Sequence, residues 1–130
     1  MTEQHARNTA RVLSIIDPEF VRSRKFVPRE NTPLCEEWRN GEFQLLSPHE
    51  ELREIQMMIE NLEITGRICF DHFVNPAYKV GSQRVWLFRQ DYNGYKLPEE
   101  KLGLLHRIDC GFNIDESLFV RPEDLVKKSL

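Results

Sequence analysis

The order of apolar and polar residues near the start of the chain predicts a helix followed by a strand. Residues 3–16 carry apolar side chains three and four positions apart, which is the spacing of one helical face. Asp17-Pro18 ends this helix, because proline restricts the residue before it and has no N–H group to donate. The run from Phe20 to Val27 then predicts a strand, reached through a short connection.

The clearest helix signal begins at Ser47. Ser47 is predicted as the N-cap, Pro48 takes the first helical position, and Glu50 completes a capping box. An apolar stripe along the helix is formed by Leu52, Ile55, Ile59 and Leu62, with Met58 beside it. We expect Thr65-Gly66 to close the helix, since glycine tolerates the left-handed backbone that often follows a last turn.

The second half of the chain predicts a further strand and two helices. Residues 67–73 read as the strand, whereas residues 74–96 are aromatic and irregular and predict no regular element. Pro98 opens an amphipathic helix with Leu102, Leu105 and Ile108 on its inner face, and Pro122 begins a short C-terminal helix. Alternating helices and strands of this kind predict an α/β fold, in a single domain covering residues 1–130.

The long connection over residues 28–46 separates the first strand from the best helix. Loops beyond about 12–15 residues are uncommon in compact domains and often carry function. Residues 34–38 within it are predicted to form one or two helical turns.

Composition narrows the functional classes. The net charge of -3 and pI near 5.8 offer no basic field for nucleic acid or anionic lipid. No apolar run approaches the roughly 20 residues that span a bilayer, and the polar N-terminus does not resemble a signal peptide. We therefore expect a cytoplasmic protein with neither nucleic-acid nor membrane partners.

Three cysteines, Cys35, Cys69 and Cys110, are widely spaced and odd in number, which favours reduced thiols over disulfides. No C-x-x-C run is present, so no local metal site is predicted. The alternative is a zinc or thiol site that folding assembles from all three.

Two arginines on the first strand are candidate ligand contacts. Arg22 and Arg24 are two positions apart and so point to one face, where guanidinium groups can hold a carboxylate or phosphate. The alternative is an exposed or ion-paired polar face. Phe20 and Phe26 flank the pair on the same face and predict its partial burial.

Asp71, His72 and Asn75 lie at the end of the second predicted strand, where α/β proteins place ligand-binding groups. His72 changes charge near neutral pH and could act as acid or base. Asp71 and His72 point to opposite faces of a regular strand and are not predicted to form a dyad. The alternative is a structural histidine beside a capping aspartate.

Four segments in order resemble the C-terminal half of radical S-adenosylmethionine proteins. They read HARNTARVLSIIDPEFVRSRKFVPRENTPLCEEW, GEFQLLSPHEELREIQMMIENLE, DHFVNP and RQDYNGYKLPEEK. The best segment is Phe26–Leu34, which is similar to an F-x-P-x-x-G-T-P-L loop that follows a late barrel strand. Asn31 replaces the glycine of that pattern, and asparagine also tolerates the left-handed region.

The resemblance implies a partial (β/α)-barrel-like fragment, with alternating helices, two to three strands and a C-terminal helical segment. The cofactor-binding candidates that it implies are Arg22, Arg24, Phe26, Pro28, Arg29, Asn31 and Thr32. Asp71, His72 and Asn75 become candidates for the substrate side, and no residue is assigned a catalytic or metal-binding role. S-adenosylmethionine and a [4Fe–4S] cluster are implied only for the complete family architecture, because the chain lacks the three-cysteine motif.

A barrel piece leaves sheet edges and helix faces uncovered, so we expect self-association or pairing with an N-terminal, cluster-bearing half. The chain alone is expected to have no radical activity. The alternative function is a stand-alone, non-catalytic α/β module for binding or protein interaction.

Overall fold

The computed structural model of the protein describes residues 2–126, which form helices interspersed with short strands. In chain order the elements are α1 (Thr2–Ile16), β1 (Phe20–Arg22), α2 (Pro33–Arg39), α3 (Pro48–Asn61), β2 (Arg67–Cys69), β3 (Ala77–Val80), β4 (Gln83–Trp86), β5 (Tyr95–Lys96), α4 (Lys101–Phe112), a 3₁₀ turn (Glu116–Leu118) and α5 (Pro122–Val126). The predicted α/β class is confirmed.

Two small sheets hold the strands. The first has the order β1-β2-β5, with β1 parallel to β2 and β5 antiparallel to β2. The second is the β3-β4 hairpin. The parallel pair is joined through α2 and α3, which is the βαβ connection that parallel strands require. Residues 2–126 contain no closed barrel, and their five strands exceed the two to three that were predicted.

One hydrophobic core joins α1, α3 and α4 to one face of the first sheet. Its fully buried side chains include Leu52, Ile59, Ile68, Phe70, Leu104 and Ile108. The Phe70 and Phe88 rings stack with centroids 4.2 Å apart. Val21 packs against this core from β1, so the helices cover the face of the sheet that carries Val21 and Ile68.

The start of α3 is confirmed in detail. The Ser47 side chain accepts from the Glu50 N–H group, and the Glu50 carboxylate accepts from the Ser47 N–H group at 2.9 Å. The predicted closure at Gly66 is wrong, because the helix already ends at Asn61 with Leu62 as its C-cap. Gly66 is instead required by close packing, since a Cβ there would overlap the carbonyl oxygens of Pro18 and Glu19.

Both predicted strands of the parallel pair are shorter than expected. β1 was predicted to reach Val27 but ends at Arg22, because the Lys25 N–H group leaves the ladder and donates to the Asn75 side chain. β2 ends at Cys69, since the chain turns where the His72 N–H group donates to the Phe70 carbonyl. Hydrogen bonds to side chains and tight turns therefore end the β-ladder before the apolar pattern of the sequence ends.

The region predicted to be irregular contains the β3-β4 hairpin. Its two strands flank Gly81-Ser82, and Gly81 has a φ of 62°, as tight hairpin turns demand. A Gly-Ser pair between β-forming runs is a hairpin signal that was present in the sequence.

The prediction of which residues form the inner face of α4 was wrong in part. Leu102 is 82% exposed whereas Leu104 is buried, because positions two apart on a helix face nearly opposite directions.

No helix within residues 2–126 combines the length and the apolar character needed to cross a membrane.

Substitution of Gly66 by alanine tests the close packing between the α1–β1 connection and β2. We expect Gly66→Ala to lower the free energy of unfolding by about 3 kcal/mol, because backbone atoms must move to admit the methyl group. Gly103→Ala is the matched control, since Gly103 lies inside α4 with open space around it. The control should stabilise the protein by up to about 1 kcal/mol. Urea unfolding measures both, and equal effects would contradict the packing account.

Candidate functional site at the carboxyl end of the parallel strands

The carboxyl ends of β1 and β2 meet at one edge of the sheet and bring two predicted residues together. Arg22 Nη1 lies 2.7 Å from Asp71 Oδ2, in an ion pair between the two strand ends. The Arg22 side chain is half exposed, whereas that of Asp71 is mostly covered. In parallel α/β sheets this edge is where ligands bind.

Asn75 serves as a clamp between the same two strand ends. Its Oδ1 accepts from the Lys25 N–H group at 3.2 Å, and its Nδ2 donates to the Ser23 carbonyl at 3.0 Å. Asn75 is only 3% exposed. Both polar atoms of the amide are therefore hydrogen-bonded to the backbone beyond β1. Asn75 stabilises the strand ends that form the site and is not placed to contact a ligand.

The face that carries Arg22 is partly buried, as expected. Phe20 and Phe26 are 48% and 57% exposed, and the Arg22 side chain is half exposed. The helices pack on the opposite face, where Val21 lies, whereas Cys69, the ladder partner of Arg22 on the arginine face, is fully buried and donates its S–H to the Tyr92 carbonyl. The Arg22 guanidinium lies over the Tyr92 ring at 5.3 Å, in a cation–π contact.

His72 lies in the turn beyond β2 and contacts its own neighbours. Its Nδ1 accepts from the Val74 N–H group at 3.3 Å, and its ring stacks on Phe73 with centroids 4.7 Å apart. Burial lowers the pKa of His72, and the positive charge of Arg24 lowers it further, while Asp71 acts in the opposite direction. The neutral imidazole is thus favoured. The described contacts include no hydrogen bond between His72 and Asp71, whose carboxylate is held by Arg22.

The loop from Phe26 to Leu34 is organised by Asn31 and Thr32. Asn31 has a φ of 63°, so the expectation that asparagine supports a left-handed turn here is confirmed. The Thr32 hydroxyl donates to the Arg29 carbonyl at 2.6 Å and accepts from the Cys35 N–H group as the N-cap of α2. The residues predicted to form helical turns belong to α2.

A cavity of about 470 Å³, which we call the loop cavity, lies against this loop. Five of the seven cofactor-binding candidates line it, namely Arg24, Phe26, Pro28, Arg29 and Thr32. Arg22 lies outside its wall and lines a second cavity instead, and Asn31 shapes the turn without lining either cavity. The structure thus brings most of the predicted set to one concave surface.

The second cavity, of about 540 Å³, lies where α1 and α3 flank the segment that leaves β1, and we call it the α1–α3 cavity. It contains an ion pair that sequence reasoning missed. Lys25 Nζ lies 2.8 Å from Glu51 Oε2, and the two side chains are 7% and 9% exposed. The sequence contained a signal for this burial. Lys25 is an even number of positions from Val21 and so points to the same side of an extended segment, and Glu51 lies one helical turn before Ile55, on the same face of α3.

Burial dominates the electrostatics of this pair. Desolvation raises the pKa of Glu51 by more than the adjacent Lys25 ammonium lowers it. Such a pair costs free energy to bury, and it holds together because each charge is the other's counter-ion.

The three cysteines stay apart. Cys35 is buried in α2, Cys69 is buried on β2 and donates its S–H to the Tyr92 carbonyl at 3.2 Å, and Cys110 is partly exposed on α4. Burial raises the pKa of the Cys69 thiol. Over residues 2–126 no three histidine, cysteine or acidic side chains are grouped for metal binding. The donor set of this part of the chain therefore does not fit an iron–sulfur cluster.

Comparison with known proteins found no matching family model, no matching curated protein and no matching solved structure.

Removal of one partner of the buried pair should be far more costly than removal of both. We expect Lys25→Met to lower the free energy of unfolding by about 3–5 kcal/mol, because Glu51 is left buried without a counter-ion. The double variant Lys25→Met/Glu51→Met should recover most of that loss. Arg39→Met, which breaks the more exposed pair with Glu30, should cost less than about 1 kcal/mol. Denaturant unfolding of the three variants is the measurement, and a double variant as unstable as Lys25→Met would refute the ion-pair account.

The position of His72 predicts a pH dependence of stability. Its pKa in the folded protein lies below the ordinary value of 6.5, so the unfolded chain takes up the proton first as the pH falls. Stability should therefore fall from roughly pH 7 to pH 5. His72→Asn retains an acceptor near the Nδ1 position but removes the titration, and it should flatten this part of the profile. Thermal unfolding across the pH range measures the slope, and an unchanged slope in the variant would contradict the assignment.

Proposed function

We propose that this chain is the C-terminal, substrate-side portion of a radical S-adenosylmethionine protein and forms part of its (β/α) barrel. The observation that carries the proposal is the parallel β1-β2 pair, with Arg22 and Asp71 joined at its carboxyl edge beside the loop cavity. Barrel enzymes place their ligand groups at this edge.

The exposure of the two sheet faces supports a barrel origin. Helices cover one face, and the other face carries Phe20 and Arg22, which are half exposed, beside the buried Cys69. In a barrel the second face would line the lumen, where a ligand or the remaining strands would cover it. β1 is also an edge strand of the described sheet, which leaves room for a preceding strand to pair with it.

The loop cavity is the part of this chain that would hold S-adenosylmethionine. Arg24 and Arg29 offer guanidinium donors that suit a carboxylate, while Phe26 and Pro28 offer apolar surface to a nucleoside. In the complete protein this cofactor supplies the radical. The side chains of this chain would bind and orient it, and Arg22 with Asp71 would face the substrate side.

In this proposal the iron–sulfur cluster is bound elsewhere in the assembly, because the cysteines described here are not grouped. The chain alone is accordingly proposed to be inactive, with an N-terminal, cluster-bearing half as its partner.

A stand-alone interaction module is the second candidate function, and one observation favours it. Val12, Ile15 and Ile16 form an exposed apolar strip on α1, with exposures of 53%, 78% and 64%. A strip of this kind, three and four residues apart, suits contact with another helix. It would be covered either by the proposed N-terminal half or, in a stand-alone module, by a second copy of the chain.

The test begins with the coding sequence immediately upstream of Met1. We expect a stretch that encodes C-x-x-x-C-x-x-C, whose product is then co-expressed with this chain and reconstituted anaerobically with iron and sulfide. The assembled pair should release 5′-deoxyadenosine from S-adenosylmethionine under reducing conditions, and this chain alone should not.

Arg24→Ala/Arg29→Ala should raise the KM for S-adenosylmethionine by about tenfold, which corresponds to the loss of one charge-assisted hydrogen bond.

Arg11→Ala is the matched control, since Arg11 is an exposed arginine on α1 that lines neither the loop cavity nor the α1–α3 cavity. It should leave the KM unchanged. An unrelated upstream sequence together with a stable homodimer would favour the interaction module. Cofactor cleavage by this chain alone would overturn the proposal.

A further inference from the structure

We propose that His106 and Cys110 on α4 form half of a zinc site, which a second copy of the chain completes with the same two residues. This inference does not depend on the function proposed above, because no residue of α4 lines the loop cavity. The two residues form an H-x-x-x-C run, and a spacing of four places both side chains on one face of a helix.

The two ligand atoms lie about as far apart as a single zinc ion requires. His106 Nε2 is 3.7 Å from Cys110 Sγ. Zinc bonds of about 2.1 Å to nitrogen and about 2.3 Å to sulfur, at a tetrahedral angle, set these two atoms about 3.6 Å apart. In the metal-free chain the pair makes a weak thiol–imidazole contact. An ion can therefore bind both atoms with little movement of either side chain.

The surroundings of the pair leave it accessible to a metal cation. The His106 side chain is exposed, and Cys110 is partly exposed. The other two basic residues of α4 are directed away, since each donates to a carbonyl group outside the helix, Lys101 at 3.0 Å and Arg107 at 2.7 Å. Neither of these positive charges is free to take the place of the ion.

A second copy of the chain is the partner, because two protein ligands fill only half of a structural zinc site. Such sites have four protein ligands. Over residues 2–126 no third histidine, cysteine or acidic side chain is grouped with the pair. Two copies related by a two-fold axis through the ion would supply two histidines and two cysteines. The contact would also cover Leu102, which is 82% exposed one turn before His106 on the same face.

Formation of the site balances charge. Each Cys110 thiol releases its proton to solvent and binds as a thiolate, and each His106 imidazole binds through the Nε2 lone pair while Nδ1 keeps its proton. The two thiolates neutralise the two positive charges of the ion. Because two protons are released, the affinity for zinc should fall as the pH falls.

Zinc titration of the full-length chain, reduced and stripped of metal, tests the proposal. We expect one zinc ion per two chains by calorimetry, and a twofold increase in mass by light scattering that a chelator reverses. Cobalt(II) in place of zinc should give the visible absorption of a tetrahedral ion together with thiolate-to-cobalt charge transfer. Magnesium should produce neither change, because it prefers oxygen ligands.

Variants of the pair separate zinc binding from a structural role. Cys110→Ser should weaken zinc binding by more than about a hundredfold, since loss of even an outer-shell partner costs about 10–100-fold. Cys110→His places a nitrogen ligand one turn from His106, so it should restore the zinc-dependent dimer without the charge-transfer band. His5→Ala is the matched control, because His5 is an exposed histidine on α1 with Thr9 one turn later, and it should change neither property.

Three results would overturn the proposal: one zinc ion bound per monomer, zinc binding without a change in mass, or a zinc-induced dimer that persists in Cys110→Ser. A dimer already present in the metal-free protein and unaffected by Cys110→Ser would also overturn it. That result would point instead to the apolar strip of α1 as the contact between copies.

Discussion

The parallel pairing of β1 with β2 is the constraint on which the rest of the structure depends. It aligns two strands whose carboxyl ends then share one edge, and so it brings Arg22 beside Asp71 across a separation of 49 residues. Asn75 secures the same alignment from the side, because its amide bonds the backbone on both sides of Arg24. At the amino ends of the two strands, the absence of a side chain at Gly66 permits its backbone to pack closely against that of Pro18 and Glu19.

The helices pack on one face of this pair, and the chemistry of the two faces differs as a result. On the covered face, Lys25 and Glu51 are taken out of water and must neutralise each other. On the open face, Arg22 stays half exposed, and its ion pair with Asp71 is weakened by solvent.

The sequence was most informative where the signal is local. The capping box of Ser47 and Glu50, the left-handed turn at Asn31 and the start of α5 at Pro122 each depend on residues within about four positions of one another. It was least informative for the strands. Apolar pattern alone extended β1 to Val27, whereas a side chain 50 residues away ends it at Arg22. The β3-β4 hairpin was not predicted, although Gly81-Ser82 between two β-forming runs is a turn signal for it.

By itself, the sequence determined the α/β class, the starts of α3 and α5 and the left-handed turn at Asn31. These features follow from backbone preferences that a few neighbouring residues impose. Only the tertiary structure decided that Lys25 meets Glu51, that Asn75 is a clamp, and that Leu102 faces outward while Leu104 is buried. Each of these depends on how helices and strands distant in sequence pack together. A local pattern gives the face on which each side chain lies, but the packing decides how deeply it is buried and which charge it meets.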